Sequence, residues 1–310
     1  MPEWCVERGI GETRYALIEA GEIIEARIEL EGVTRAGSII AARLKRAARP
    51  AVAIAGTTQY LMPRGAPGVT EGAVLNIEVT REQIPGAEAW KRPLARASNE
   101  AARDAPAIDV RDAAGNEHGS ADWDDLIEQA RSGTVQFAGG ELRISATPAM
   151  TLIDVDGYLD LDELAVRGAA EAARAIRRLD IGGSIGVDLP TAKSKAARQD
   201  AARTIDNILL QPFERTAVNG FGFVQIVRPR VRASLVELAQ DRVAFETRAL
   251  LRRAGLEPVG PKCLVAYPAV IAVLEGRSDW LTALARTVGG AISLRANPSL
   301  PMSGGYAERA

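Results

Sequence analysis

The 310-residue chain carries 38 basic against 40 acidic side chains, 47% apolar residues and 5% aromatics, with one histidine and two cysteines. His118 alone cannot build a multi-histidine metal site, and Cys5 and Cys263 are too few for a thiolate zinc centre or a disulfide scaffold. Catalysis, if any, therefore rests on carboxylates, hydroxyls, an oxygen-held metal or a cofactor, and the scarcity of cysteine fits a cytoplasmic location. The length suggests roughly two domains. No run reaches the roughly 18 apolar residues of a membrane span, and the longest, Cys263 to Leu274, contains Pro268. A net charge of -2 argues against a uniformly basic surface but says nothing of local patches. Only five basic residues are lysine (Lys45, Lys91, Lys193, Lys195, Lys262). Arginine forks suit phosphate, although a GC-rich coding sequence gives the same excess.

Residues 13–29 alternate apolar and polar around Ala20-Gly21, which predicts a β-hairpin. Strands are expected at Ser38–Leu44, Ala51–Ala55 and Ala73–Val79, and no acid occurs between Arg35 and Arg64. Short strands with a basic face, including Arg43, Lys45 and Arg46, suit a small OB-type barrel that binds nucleic acid. An ordinary antiparallel sheet with a solvated basic face fits equally well. From Pro93 to Pro106 the composition suggests a connection between lobes. Acids gather between Asp109 and Glu128, where Asp122, Asp124 and Asp125 open a helix as capping and solvated carboxylates. His118, in the turn-like GNEHGS, receives no catalytic role.

Thr134–Phe137 and Glu141–Ile144 flank Gly139-Gly140 as a hairpin, and Met150–Val155 is an apolar strand ending in Asp154-Val155-Asp156-Gly157. Leu161–Leu179 has a helical period, Gly182-Gly183 supplies a left-handed stop, and Ser184–Val187 is a second buried strand ending in Asp188. Strand–helix–strand implies parallel neighbours joined by a right-handed crossover, beyond whose carboxyl ends ligands collect. Asp154 and Asp188 can then converge although 34 positions apart, with Asp156 on the same side. Three acids without histidine suit magnesium or manganese and metal-assisted phosphoryl chemistry. The alternative is that Asp154 and Asp156 merely end a strand while Asp188 caps the next helix. Thr191–Glu214 reads as that helix, followed by a strand pair around Asn219-Gly220 that exits through Arg228-Pro229-Arg230-Val231-Arg232. These arginines either face phosphate oxygens or pair with the Asp109–Glu128 acids.

At this block the chain resembles the ribonuclease E/G family of bacterial endoribonucleases. The likeness runs in order through GGELRISATPAMTLID, LIDVDG, RAIRRLDIGGSIGVD and VNGFGFVQIVRPRVRASL, and more loosely through PAVIAVLEGRSDWLTALA and PMSGGY. It implies an α/β (α+β) chain: an N-terminal β-hairpin (1–34), an OB-type RNA-binding barrel (35–96), a metal-dependent catalytic domain (97–240) with parallel strands, and a small C-terminal α/β lobe (241–310). It further implies cleavage of single-stranded RNA by water, leaving a 3′-hydroxyl and a 5′-phosphate. The family's two metal-binding aspartates fall on Asp154 and Asp188, with Mg²⁺ as cofactor and Mn²⁺ as substitute. Asp156 stands where the family has Asn and adds a carboxylate to the metal site. Arg43, Lys45, Arg46, Arg228 and Arg230 are the expected backbone contacts, and Tyr60 is the one obvious base-stacking ring in the barrel. The family's Cys-Pro-x-Cys zinc link is missing, so no zinc is expected, and its 5′-monophosphate pocket has no counterpart. A homodimer through the catalytic lobe is left open, and no membrane partner is expected. Two alternatives stand beside this reading: an inactive RNA-binding or assembly protein of the same fold, and a small-phosphoester hydrolase using the same carboxylates.

Overall fold

The structure, a computed structural model, describes residues 2–86, 91–108, 110–112 and 120–310. Asp109 and His118, and the side chain of Asp122, lie outside the described residues. The chain opens with β1 (Glu3–Arg8), β2 (Glu12–Glu19) and β3 (Glu22–Leu30). β2 and β3 form the expected hairpin, and its two turn residues, Ala20 and Gly21, take φ of 52° and 87°. Two left-handed residues give a turn whose twist matches the flanking strands. β1, not foreseen as a strand, pairs antiparallel with β2 from Glu3↔Ile18 to Arg8↔Thr13. Ala16, Ile23, Ala26 and Ile28 of the hairpin enter the main core of the molecule.

Five strands then close into a barrel: β4 (Ile39–Arg46), β5 (Ala51–Ala55), β6 (Thr58–Met62), β7 (Val74–Arg81) and β8 (Leu94–Ser98), in the order β4-β5-β6-β8-β7. Leu44, Tyr60, Met62, Ile77 and Val79 fill its interior, whereas Arg43 and Lys45 point outward, as the two-residue period of β4 requires. β8 lies inside the stretch expected to connect lobes. Its sequence, LARAS, is poor in strand formers. It is a strand because it pairs with β7 over Asn76–Arg81 and meets β6 in parallel at Leu61↔Leu94. β9 (Arg111–Asp112) pairs in parallel with β1.

The next block holds α1 (Ser120–Ser132), β10 (Thr134–Phe137), β11 (Gly140–Ala146), β12 (Thr151–Gly157), α2 (Leu161–Arg178), β13 (Gly183–Asp188), α3 (Lys195–Ile208), β14 (Glu214–Arg215) and β15 (Phe223–Arg228). Its six strands run in the order β10-β11-β12-β13-β15-β14. β12 and β13 are the parallel pair anticipated from the strand–helix–strand pattern, and their sheet neighbours are antiparallel. α2 buries Leu164, Ala169, Ala172, Ala173 and Ile176 in the core beneath this sheet. A Cβ at Gly168 would lie 2.4 Å from Val155 Cγ1, so only glycine permits the helix to sit this close to β12.

Two helix ends differ from expectation. The left-handed residue that stops α2 is Asp180, with φ 52°, not the glycine pair. The Ile181 N–H donates to Ile176 O at 2.9 Å, as in a Schellman stop, and Arg232 pairs with the Asp180 carboxylate at 3.0 Å. α3 is shorter than its apolar period suggests: the Ser194 hydroxyl caps its start by accepting from the Ala197 N–H at 3.0 Å, and extended backbone at Leu209, with Pro212 three residues on, ends it.

The remainder comprises α4 (Leu235–Gln240), α5 (Arg242–Leu256), β16 (Lys262–Ala266), α6 (Pro268–Glu275), α7 (Ser278–Val288), β17 (Ile292–Ala296) and β18 (Tyr306–Arg309). Its three strands, ordered β17-β16-β18, share a separate core built on Leu250, Leu264, Ile271, Leu274 and Leu284. The fold is thus mixed α/β, with a closed five-stranded barrel and several sheets. Among the described residues, no helix is long and apolar enough to cross a membrane.

Candidate functional site

Strand periodicity decides which side chains the six-stranded sheet offers to solvent. On β12, Thr151, Ile153 and Val155 are buried while Leu152, Asp154 and Asp156 are exposed. Leu142 and Ile144 of β11, Val187 of β13, and Val224 and Ile226 of β15 are buried, as alternation along each strand requires. The opposite face is open. Backbone register aligns Arg143 with Asp154, Asp154 with Asp188, and Asp188 with Phe223. Four adjacent strands therefore carry one row, Arg143–Asp154–Asp188–Phe223, with neighbouring backbones about 4.8 Å apart. In the next row Gly186 lies between Leu152 and Gln225, and a Cβ there would stand 2.7 Å from Phe223 Cζ. Its missing side chain lets the Phe223 ring lie across β13.

The structure thus places Asp154 and Asp188 side by side, with Asp156 two residues further along β12 on the same face. The Asp154 carboxyl is pushed above the usual aspartate range, first by desolvation and then by the negative charges of Asp156 and Asp188. On its other flank Arg143 is held by Glu141, whose Oε1 accepts from its Nε at 2.9 Å. Gln136 also donates to Glu141, at 2.6 Å, and these two bonds hold the Glu141 carboxyl below its ordinary range. Among the described residues, no three His, Cys, Asp or Glu side chains form a ready-made metal cluster. The donor set is instead two in-register carboxylates with a third nearby. That set fits magnesium, which commonly uses one or two protein carboxylates and fills its shell with waters and substrate phosphates. It offers nothing to a metal that needs nitrogen or sulfur.

The loops at the carboxyl ends of the two parallel strands are pinned to one another. Asp160 caps α2 by accepting from the Asp162 N–H at 3.0 Å, and its other oxygen accepts from Lys193 Nζ at 2.5 Å. Asp162 accepts from the Lys193 backbone N–H at 2.6 Å. The segment leaving Asp188 is therefore tied to the first turn of α2.

The expected RNA contacts divide into two groups. Arg43, Lys45 and Arg46 are exposed on the outside of the barrel, where Arg43 donates to Gly72 O and Arg46 to Pro50 O. The others are engaged inside the fold. Tyr60 is 2% exposed in the barrel core and its hydroxyl donates to Thr34 Oγ1 at 2.8 Å, so its ring has no face for a base. Arg228 donates to Ile181 O at 2.9 Å, at the end of α2, and Arg230 pairs with Glu237. Among the described residues, neither pairs with an acid of the 109–128 segment that the sequence offered as partners. Tyr60→Phe is expected to leave affinity for single-stranded RNA unchanged and to cost about 1 kcal/mol of stability through one lost hydrogen bond. Gel-shift titration and urea unfolding check both halves; weakened RNA binding at unaltered stability would return the ring to the binding surface.

Three features near the aspartates had no place in the sequence reading. Arg143 is set opposite Asp154 by the β11–β12 register, whereas the hairpin around Gly139-Gly140 sets it opposite Thr134. Tyr158 and Phe221 are 86% and 82% exposed, one just beyond Asp156 and the other two residues before Phe223. No composition or period signals which aromatic rings remain in solvent.

The comparisons with known proteins bear on this geometry. No curated protein matches the chain significantly. A family model described as the Ribonuclease E/G family matches residues 74–231, half of the chain, from the start of β7 to just past β15. Both parallel strands and all three aspartates lie within that match. The chain belongs to the ribonuclease E/G family.

Proposed function

We propose that this protein is an endoribonuclease that hydrolyses single-stranded RNA, leaving a 3′-hydroxyl and a 5′-phosphate, with Mg²⁺ or Mn²⁺ as cofactor. Family membership points to ribonuclease activity in general. The observation that carries the finer reading is the in-register pair Asp154 and Asp188 on an open sheet face. Their carboxylates would hold the cation, and Asp156 adds negative charge or a further oxygen. When bound, Mg²⁺ would polarise the scissile phosphate and favour attack by water. Arg143, fixed by Glu141 at the end of the row, would donate to a non-bridging phosphate oxygen beside Asp154. The barrel, read as an OB-type module, would hold the backbone through Arg43, Lys45 and Arg46, and binding should then weaken as salt rises.

Incubating the purified protein with an end-labelled single-stranded RNA tests this reading. Internal cuts are expected with Mg²⁺ or Mn²⁺ and none with excess EDTA, and ligation or phosphatase treatment identifies the new ends. Undiminished cleavage in EDTA, or products ending in 2′,3′-cyclic phosphate, would contradict the metal-assisted mechanism. A second reading is an RNA-binding or assembly protein of the same fold without turnover. Its support is Asp156, which adds repulsion at Asp154 in place of the family's neutral Asn. It predicts RNA retention in a gel shift without metal-dependent cutting at any pH.

A further inference from the structure

A cleft of about 580 Å³ is lined by Lys195, Arg198, Arg203 and Arg215, and by Gly220 of the turn that leads into Phe223 of the aspartate row. Among the described residues, no carboxylate lines it. Arg203 and Arg215 are engaged with Asp200 and Asp206, the second through both oxygens at 2.7 and 2.5 Å. Lys195 is exposed and forms no ion pair with any described residue, and Arg198 uses one N–H on Ala192 O at 3.1 Å. The cleft therefore presents at least two cationic groups with donors to spare, at the start of α3.

The residue after Gly220 is Phe221, 82% exposed. Mobility of the loop does not account for this exposure, since the turn is tightly bonded. Asn219 Oδ1 accepts from the N–H groups of Phe221 and Phe223 at 2.8 and 3.1 Å, and the Asn219 N–H donates to Phe223 O at 3.0 Å. Thr191 Oγ1 donates to Phe221 O at 3.1 Å, and the Leu189 N–H to Gly222 O at 3.3 Å. The turn is thus fastened to the segment that follows Asp188. An exposed ring on a bonded turn, two residues from Phe223 in the aspartate row and next to Gly220 at the cationic cleft, has the parts of a nucleotide subsite. The ring offers a face for any base, and the cations meet the backbone phosphate next to it.

The geometry points to a subsite for one nucleotide of single-stranded RNA flanking the cleavage position on the Asp188 side, with Phe221 stacking the base and Lys195 and Arg198 holding its phosphate. This rests on the reading of the protein as a ribonuclease acting on single-stranded RNA, but not on its turnover. Its test is accordingly a binding measurement in EDTA, where no cleavage is expected. Fluorescence anisotropy is followed for a labelled RNA oligonucleotide and for a set in which each position in turn is made abasic. Phe221→Ala is expected to weaken binding of the intact RNA about 5- to 150-fold, the effect of losing one stacked base. In the wild type one abasic position should cause a comparable loss, and in Phe221→Ala that position should cause none. Lys195→Ala should reduce the slope of log affinity against log salt by about 0.7. Both side chains are exposed, and unchanged thermal midpoints establish that the variants are folded. Wild-type affinity in both variants, an equal abasic profile in wild type and Phe221→Ala, or absence of RNA binding by the wild type would overturn the subsite. Tight, Phe221-dependent binding by a protein that never cuts RNA would support the subsite while removing the hydrolytic reading.

Discussion

The double substitution Asp154→Asn, Asp188→Asn is expected to reduce Mg²⁺-dependent cleavage of single-stranded RNA by on the order of 10³-fold or more. That factor corresponds to roughly 4 kcal/mol of transition-state stabilisation, an ordinary share for a catalytic metal ion. Asn preserves the shape of both side chains, and both lie on the open face, so the fold should survive. The sign of the stability change separates a lost site from a lost fold. Because the Asp154 carboxyl is raised above its unfolded value, the folded protein holds that proton more tightly than the unfolded chain. The stability this contributes is present at low pH and is lost as pH rises through the folded value. At neutral pH the ionised Asp154 is therefore a cost to the metal-free fold, through desolvation and repulsion from Asp156 and Asp188. Asp154→Asn should then unfold, in EDTA, no earlier than the wild type. Cleavage of RNA at the wild-type rate by the double variant would remove both aspartates from the mechanism. A lowered unfolding midpoint would make the activity loss uninformative for that variant, and Asp188→Asn alone would then carry the test.

How much of this site could be read before the fold was known follows from the range of each signal. The Asp154–Asp188 pairing was legible because a strand–helix–strand pattern fixes direction, adjacency and the loop-bearing edge at once. The barrel was legible in three of its five strands. Thr58–Met62 and Leu94–Ser98 gave little local signal, and β8 exists only through its pairing with β7 and β6. The differences between expected and observed surroundings of the arginines and aromatics share one cause. Arg43 and Arg228 are equally basic in sequence, yet one stands outside the barrel and the other faces the carbonyls at the end of α2. Tyr60, expected to stack a base, is buried, and Phe221, given no role, is exposed, since inward and outward positions on a curved barrel or a bonded turn depend on partners elsewhere in the chain. Type and charge are local properties, whereas exposure belongs to the packed molecule.

The largest stability effect is expected away from the aspartates, at Glu12 on β2. Its carboxylate is 6% exposed and lies between two guanidiniums, those of Arg14 and Arg248, which are 3% and 7% exposed. Arg14 Nε donates to one oxygen at 2.6 Å and Arg248 Nε to the other at 3.1 Å, while Arg14 also lies over the Trp123 ring. Arg248 belongs to α5, so this group joins the N-terminal sheet to the helix that carries part of the C-terminal core. Neighbouring pairs repeat the pattern: Arg252 of α5 bonds Glu7 at 2.6 Å, and Glu246 bonds Arg131 at 2.5 Å. Glu12→Ala would remove the one carboxylate that Arg14 and Arg248 pair with among the described residues, leaving two buried cations facing each other, and breaking such a buried group costs about 3–5 kcal/mol. Glu12→Gln, which keeps the shape and one acceptor, should cost less. Denaturant unfolding of both variants measures the difference, and a loss below about 1 kcal/mol in Glu12→Ala would show that water reaches the two arginines. Glu12 lies outside the six-stranded sheet, so the surviving folded fraction of Glu12→Ala should cut RNA at the wild-type rate per folded molecule. A variant that keeps its stability but loses cleavage would instead couple this joint between N- and C-terminal elements to the aspartate row.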